Sequence, residues 1–248
     1  MIDYSKQILD GDGKDDYARY MRTDALLSLQ RNETERVHRD ELLFQIVHQS
    51  TELWLKLASA ELSETALQLR DGAIEEAIRL LGRASSAVHL VTGQLEILCH
   101  LSPYDFQKFR TVLGHGSGAD SPGWRAVQKN CRALDAAFTG LVLQRGIDLI
   151  EIYRAGRRGK IYDLTEAMVE LDERVSLWRV RHYKIATRVI GHQAIGTQGT
   201  PVHALTKLIE YKLFPQLWEL RDNLATAEPE REGNGDAVRV HTEDGTRW

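Results

Sequence analysis

The sequence has few cysteines and no long hydrophobic stretch. Its 248 residues include two cysteines, Cys99 and Cys131, too few for a disulfide framework and without the spacing of a metal site. We therefore expect free thiols in a reducing cytoplasm. No apolar run approaches the roughly 18–20 residues that span a bilayer, and residues 1–4 lack the layout of a secretory signal. These features predict a cytoplasmic protein without a membrane partner.

The sequence also lacks an excess of positive charge. It has 32 lysines and arginines against 36 acidic residues, a formal net charge of −4. Because nucleic-acid binding depends on basic surfaces that neutralise phosphates, we expect no nucleic-acid partner. P-loops, dinucleotide-binding glycine motifs, nucleophile elbows and the HExxH zinc motif are missing from the sequence as well. The common nucleotide-dependent, serine-hydrolase and zinc-protease classes are therefore disfavoured.

Proline is scarce, with five in the whole chain, and helix-forming residues are abundant. Residues 40–71 contain neither proline nor glycine, which predicts a long helix that stops at Gly72. Further helices are predicted over residues 73–101, 102–114, 124–144, 162–195 and 202–225. Since no stretch shows the alternation of a strand, the predicted fold is all-α, with long helices packed lengthwise in a bundle.

Polar, aperiodic segments lie at both ends of the chain. We predict a flexible segment over residues 1–15 and a disordered or partner-dependent tail over residues 227–248. Residues 16–226 are then predicted to form a single helical domain.

Two of the predicted helices carry a histidine within a row of core-facing residues spaced alternately by four and three. In residues 162–195 the row is Leu164, Met168, Leu171, Val175, Trp178, His182, Ile185 and Val189. In residues 40–71 it is Phe44, His48, Thr51, Leu55, Ala58, Leu62, Thr65 and Leu69. An imidazole left unpaired in a core costs roughly 1–3 kcal/mol, so each histidine needs a partner. That partner could be a carboxylate or backbone carbonyl, or a cofactor shared by both rings. A haem between the helices suits the pattern, with one imidazole on its iron.

Five segments of the sequence, in order, match the pattern of one known family. Residues 38–54 read HRDELLFQIVHQSTELW, which resembles the pattern HDEMLFIIxHQxxELW of the tryptophan 2,3-dioxygenase family. Residues 178–191 contain WRVRH and RVIG, which resemble the family's haem-ligand segment WRxxH…RxIG. The other three segments are residues 17–30 (YARYMRTDALLSLQ), residues 102–118 (beginning SPYDFQKFRTVLG) and residues 214–221 (FPQLWELR).

The resemblance implies a role for each matching residue. His182 corresponds to the proximal ligand of haem b, His48 to the active-site histidine near the indole nitrogen, and Arg110 to the guanidinium that binds the substrate carboxylate. The remaining implied substrate-binding residues are Tyr17, Tyr20, Phe44, Leu113, Ser117, and either Thr197 or Thr200. In the family the two tyrosines come from a neighbouring subunit, which implies a homotetramer or another homo-oligomer.

Each of these residues also has a structural interpretation without a ligand. Tyr17 and Tyr20 could anchor a terminal helix, Phe44 could belong to the core, and Arg110 could form a structural ion pair.

The sequence departs from the family where substrate is recognised. Ala119 and Asp120 stand where the family has phenylalanine and glutamine, and Leu95 stands where it commonly has tryptophan. The glycine- and threonine-rich loop over residues 196–201 is shifted by one residue, so either of its threonines could fill the family's role.

The resemblance implies oxygenation of the indole ring of L-tryptophan or a substituted tryptophan, with ferrous haem and O2, to an N-formylkynurenine-type product. The departures leave two alternatives open. One is monooxygenation to a 2-oxindole, and the other, from a different class, is a haem-binding sensor without turnover.

Overall fold

The computed structural model describes residues 6–156 and 158–226, and this part of the chain is mainly helical. Its α-helices are α1 Asp16–Met21, α2 Thr23–Leu27, α3 Glu41–Arg70, α4 Ile74–Gln94, α5 Pro103–Arg110, α6 Pro122–Gln144, α7 Leu149–Arg154, α8 Lys160–Val189, α9 Thr206–Ile209 and α10 Pro215–Thr226. Turns of 3₁₀ helix follow α4 and α5 and precede α6 and α9. Across the described ranges the sole β feature is an isolated bridge between Ile195 and Pro201, so the predicted all-α fold is confirmed.

Four long helices form the body of the molecule. Helix α3 packs along α4 and α6, and α4 also packs along α8. Helices α3 and α8 therefore lie diagonally across the bundle. Their inner faces contribute to one large buried cluster, together with α4, α6 and the segment that leads into α10. None of the helices described combines the length and the apolar character needed to cross a membrane.

The two predicted rows of core-facing residues are buried along most of their length, but the histidine in each row is accessible to solvent. On α3, Leu55 and Leu69 are buried completely or nearly so, whereas His48 is exposed. On α8, Leu171 is fully buried, whereas His182 is only half-buried. Side chains that fill a core are normally sealed from solvent. The two accessible histidines are therefore exceptions, and they make this end of the bundle a candidate site.

A second apolar cluster surrounds this open end. Its buried members are Val47, Leu95, Leu98, Leu101, Phe106, Phe109, Ile185 and Val189. Phe44, Leu113 and Trp178 are partly buried and pack against it. The cluster gives the histidine end of the bundle apolar walls, and we call it the histidine-end cluster.

Helix α8 ends at Val189, not at residue 195 as predicted. The backbone N–H groups of Ile190 and Gly191 still donate to the carbonyls of Ala186 and Thr187, which completes the last turn. Gly191 then adopts φ +108°, a region that favours glycine, and the chain leaves the helix. Residues 190–201 consequently form a loop, which contacts Arg110 and Gly116.

The predicted helix over residues 202–225 is also interrupted. The backbone N–H groups of Leu213 and Phe214 donate to Asp172 on α8, at 2.8 and 3.1 Å, instead of to helical carbonyls. Pro215, at the start of α10, lacks an N–H and disfavours helical geometry at the residue before it. The indole N–H of Trp218 donates to the same carboxylate at 2.9 Å, so Asp172 fixes α10 onto the bundle.

Helix α7 was not predicted, although its start has a recognisable signal. The Asp148 side chain accepts from the backbone N–H of Glu151 at 3.1 Å, which is an ordinary N-cap. Before α1, residues 6–15 contain no helix. The tail predicted over residues 227–248 lies outside the described residues, as do residues 1–5, and the proposed limits of the domain stay a prediction.

Candidate active site

The diagonal helices α3 and α8 bring His48 and His182 close enough for a charge on one ring to affect the pKa of the other. Burial lowers the pKa of His182, and repulsion from His48 lowers it further, to about 4. The ring of His48 is exposed at the mouth of the site, yet protein flanks it closely enough that burial lowers its pKa as well. The Phe44 carbonyl and the Glu52 carboxylate act in the opposite direction on His48. Both imidazoles are therefore neutral at pH 7, the state in which histidine binds a metal.

The orientation of His182 is set by aromatic stacking. Its ring lies parallel to the indole of Trp178, with centroids 5.0 Å apart and an interplanar angle of 5°. Trp178 in turn contacts Trp124 of α6, at 4.1 Å between centroids. Among the hydrogen bonds of the described residues, none involves the His182 ring. A neutral, oriented and unbonded imidazole is suited to be a metal ligand.

His48 is held by its own helix in a defined tautomer. Its Nδ1 lies 2.7 Å from the carbonyl oxygen of Phe44, an atom that can only accept. Since the neutral ring carries one proton, that proton is on Nδ1, and Nε2 is left as an acceptor. The ring also packs on Phe44, with centroids 4.0 Å apart. His48 thus offers an acceptor nitrogen, Nε2, at the histidine end of the bundle.

Aromatic side chains wall the site next to His48. The Phe44 ring lies 5.8 Å from that of Phe106 and 5.9 Å from that of Phe109. Leu113, half-buried after α5, packs against the same cluster. These contacts form an apolar surface of the kind that a flat aromatic ligand requires.

Arg110, the last residue of α5, lies beside this wall and is half-buried. Its guanidinium donates to the backbone carbonyl of Ile195 in loop 190–201. Among the residues described, no carboxylate lies within ion-pairing distance of it. The ion pair that would make Arg110 structural is therefore not found there, and the guanidinium remains able to bind an anion.

Two loops meet above Arg110. In loop 114–121, the Ser117 hydroxyl oxygen accepts a hydrogen bond from the Ala119 N–H, and the backbone N–H of Ser117 donates to the Asp120 carboxylate at 3.1 Å. Across the gap, the Thr197 hydroxyl donates to the Gly116 carbonyl. The side chain of Gln198 also crosses, with its Nε2 2.6 Å from Asp120 Oδ2. Positions at which the sequence departs from the family pattern thus bond to each other.

The two candidate threonines differ in their surroundings. Thr197 is half-buried and faces loop 114–121 through its hydroxyl. Thr200 is exposed, and its carbonyl accepts from the N–H of Gly196 at 2.8 Å. Thr197 is therefore the one placed near Ser117.

Tyr17 and Tyr20 are not brought into the site within one chain. Their side chains are 67% and 75% exposed. Helix α1, which carries them, packs against α2. As an anchor for a terminal helix they would be buried, and they are not.

Some residues of the site were missed by the sequence analysis. Trp124 lies in the first turn of α6, where no earlier residues of the helix exist to establish a periodic pattern, so nothing in the sequence indicated that it belongs to the site. Glu52 had a signal, since it follows His48 by one helical turn and thus shares its face. An open cavity of about 430 Å³ lies at the other end of α3, lined by Leu69 and Arg70 among others, and contains neither histidine.

The residues present fit a haem. His182 supplies an unbonded neutral nitrogen, the histidine-end cluster supplies apolar walls, and His48 of the diagonal helix is close enough to influence the pKa of His182. A flat apolar macrocycle with one axial imidazole needs those features.

The model of one protein family, described as tryptophan 2,3-dioxygenase, matches residues 6–139. The matched range includes His48, Arg110 and Ser117 and ends before His182. A tryptophan 2,3-dioxygenase from Saccharopolyspora erythraea is 30% identical, over 84% of this chain and 92% of its own length. Proteins of the same name from Myxococcus xanthus and Bacillus thuringiensis are each 28% identical, over 90% and 84% of this chain and 94% and 92% of their own lengths.

The lowered pKa of His182 predicts that acid destabilises the ligand-free protein. The folded pKa of about 4 lies below the ordinary value of about 6.5, so between these values the unfolded chain binds more protons. The contribution of this group to the free energy of unfolding is therefore fully present above pH 6.5. It is lost as the pH drops towards 4, by up to about 3 kcal/mol. Urea unfolding at several pH values should show a shallower dependence for His182→Gln. The same pH dependence of the free energy of unfolding in both proteins would contradict the lowered pKa of His182.

Proposed function

We propose that this chain, which belongs to the tryptophan 2,3-dioxygenase family, is a haem-dependent oxygenase of the indole ring of L-tryptophan or a substituted tryptophan. The observation that carries the proposal is the electrostatically coupled pair of neutral imidazoles, His48 and His182, together with Arg110, which has no anionic partner among the described residues. The product is of the N-formylkynurenine type, in which the C2–C3 bond is cleaved and both atoms of O2 are retained.

His182 would hold the iron of haem b, which when bound in its ferrous form supplies the centre that activates O2. Stacking on Trp178 fixes the plane of the His182 ring before any ligand arrives. Since the imidazole is already neutral, no proton has to leave it when the metal binds. The chain's contribution is therefore a ligand that is oriented and uncharged in advance.

His48 is suited to orient the indole. Its Nε2 can accept a hydrogen bond from the indole N–H, because Nδ1 is committed to the Phe44 carbonyl. An indole N–H is a very weak acid, so we assign His48 to positioning and proton management. Phe44 and Leu113 supply the apolar wall against which the ring lies.

Arg110 is suited to bind the carboxylate of the substrate, in exchange for the carbonyl of Ile195. We assign Thr197 rather than Thr200 to the ammonium end, because it is half-buried and linked to the loop that carries Ser117. Its hydroxyl donates to Gly116 and keeps its lone pairs for an incoming donor. Holding both ends of the substrate in register supplies much of the acceleration in such reactions.

Monooxygenation to a 2-oxindole is the second candidate within the enzyme class. The observation that favours it is the contact between Asp120 and Gln198, two positions in the divergent loops that close the substrate side. Mass spectrometry of products formed under labelled O2 distinguishes incorporation of two oxygen atoms from one. A sensor without turnover is disfavoured, since it has no use for a carboxylate-binding arginine.

An exposed apolar surface supports assembly into a homo-oligomer, with a tetramer implied by the family. Its members are Tyr17, Tyr20, Leu27 and Leu29 near the N-terminus and Ile46, Leu53 and Leu57 on α3. Exposed apolar side chains in such number are typical of a surface that a partner covers. A neighbouring copy would cover it and complete the pocket with its two tyrosines. The free thiols Cys99 and Cys131 agree with a cytoplasmic location.

The first prediction concerns the haem ligand. His182→Ala should lose haem during purification or show an altered Soret band, because no other described residue replaces the imidazole on α8. The exposed His89 of α4 provides the control, and His89→Ala should keep the haem content and spectrum of the wild type. A normal spectrum and full activity in His182→Ala would show that the ligand lies elsewhere.

The second prediction concerns the oligomer. Light scattering at micromolar concentration should give a mass several times that of the 28.2 kDa chain. Tyr20→Ala should reduce kcat/KM for tryptophan while haem content stays constant, since the ring acts in a neighbour's site. A monomer with full activity would refute this arrangement.

The third prediction separates substrate binding from folding at Arg110. Losing a desolvated charge pair altogether costs about 2–5 kcal/mol, or about 30- to 4,000-fold in kcat/KM. Arg110→Lys should keep the haem spectrum and lose part of that range for tryptophan, because an ammonium keeps the charge but cannot reproduce the two parallel hydrogen bonds of a guanidinium. With 3-methylindole, which has no carboxylate, the same substitution should have little effect. The exposed Arg79 of α4 gives a matched control in Arg79→Lys. Equal losses on the two substrates would mean that Arg110 supports the fold.

A further inference from the structure

Glu52 joins α3 to the start of α6 through both oxygens of its carboxylate. It is half-buried, one helical turn after His48. Its Oε1 accepts from the Ser121 hydroxyl at 2.5 Å, and its Oε2 accepts from the backbone N–H of Gly123 at 2.8 Å. The Ser121 hydroxyl oxygen also caps α6 by accepting from the Trp124 N–H at 3.1 Å. We call these contacts the Glu52 joint.

The joint is packed so closely that it requires a glycine. A Cβ atom at Gly123 would lie 2.6 Å from Leu55 Cβ and 2.7 Å from Glu52 Oε2, well inside normal contact distances. Gly123 is buried and has no unusual backbone geometry, so the constraint is the approach of α6 to α3. The backbone of α6 is thus fixed against α3 by shape as well as by hydrogen bonds.

The charge of Glu52 is balanced by helix α6. Within the described ranges no lysine or arginine pairs with the carboxylate. It sits at the N-terminus of a 23-residue helix, where unpaired backbone N–H groups favour an anion. A hydrogen bond from a backbone N–H to a carboxylate is stronger than one to a neutral acceptor. A neutral amide at this position would therefore hold α6 less firmly.

Two parts of the site lead away from the joint. In one direction lies loop 114–121, which carries Ser117 and returns to Arg110. In the other, Trp124 contacts Trp178, on which the ring of His182 stacks. Arg125 of α6 also holds loop 114–121, since it donates to the Ala119 carbonyl and pairs with Asp120 at 3.1 Å. Because Arg125 is itself in the first turns of α6, this attachment and the bond to Ser121 at the C-terminal end of the loop both depend on how the joint places the start of α6.

We propose that Glu52 is a positioning residue, whose carboxylate fixes loop 114–121 so that the loop and Arg110 meet the amino-acid end of the substrate. This role rests on the proposed function for its kinetic consequences, but the fixing of the loop does not. In this role Glu52 acts through Ser121 and Gly123, to which its carboxylate is bonded, and its electrostatic effect on His48 is a separate one.

The test compares Glu52→Gln and Ser121→Ala with the wild type. Glu64→Gln is the matched control, since Glu64 is an exposed residue of the same helix that bonds only to Gln68 among the residues described. Amide hydrogen exchange of the haem-loaded enzyme, followed by mass spectrometry, reports on residues 114–121. KM and kcat are measured with tryptophan and with 3-methylindole.

We expect Glu52→Gln to speed exchange in residues 114–121 about tenfold, the loss of about one charge-assisted hydrogen bond, with the rest of the chain unchanged. KM for tryptophan should rise by a similar factor, with a smaller change in kcat and little change for 3-methylindole. Ser121→Ala, which keeps the Gly123 bond, should show a smaller effect in the same direction. Glu64→Gln should match the wild type.

Unchanged exchange in the loop would overturn the proposal, as would equal kinetic losses on both substrates. If Glu52→Gln does not fold, Ser121→Ala decides by the same two measurements. A wild type that does not oxygenate tryptophan would refute the proposed function, while the exchange data would still decide whether Glu52 holds the loop.

Discussion

The structure depends on keeping two imidazoles uncharged at the open end of an apolar bundle. Protonating either ring there would place a cation among apolar side chains and beside a second imidazole, with no described carboxylate bonded to it. Burial and mutual repulsion therefore hold the pKa of His182 at about 4. The stacking of His182 on Trp178 and the bond from His48 to the Phe44 carbonyl then fix how each neutral ring is held.

The regular part of this arrangement could be predicted from the sequence. The alternating spacing of apolar residues identified α3 and most of α8, and both histidines appeared in those rows because a helix repeats its faces at fixed intervals. The end of α8 was wrong by six residues, since Gly191 stops a helix whose composition would allow it to continue. The role of Asp172 could not be predicted either, because its partners at positions 213, 214 and 218 are distant in sequence.

The loops were the least predictable part. Resemblance to the family located Ser117 and Arg110, but the bonds that hold the loops are made by residues without periodicity. Glu52 illustrates the difference. Its position on α3 was evident, yet its partners Ser121 and Gly123 lie about seventy residues away. A local pattern carries no information on such contacts, which arise when the helices are packed.

The contacts between the two loops have a consequence for affinity. Arg110 is already bonded to the carbonyl of Ile195, and the Thr197 hydroxyl to that of Gly116. Under the proposed function, an incoming amino acid would have to compete with the protein's own backbone for the guanidinium. The free energy of binding is then the difference between the hydrogen bonds made with the ligand and those broken within the protein. Selectivity follows from this competition, because a ligand with a neutral acceptor in place of a carboxylate only matches the carbonyl that it displaces.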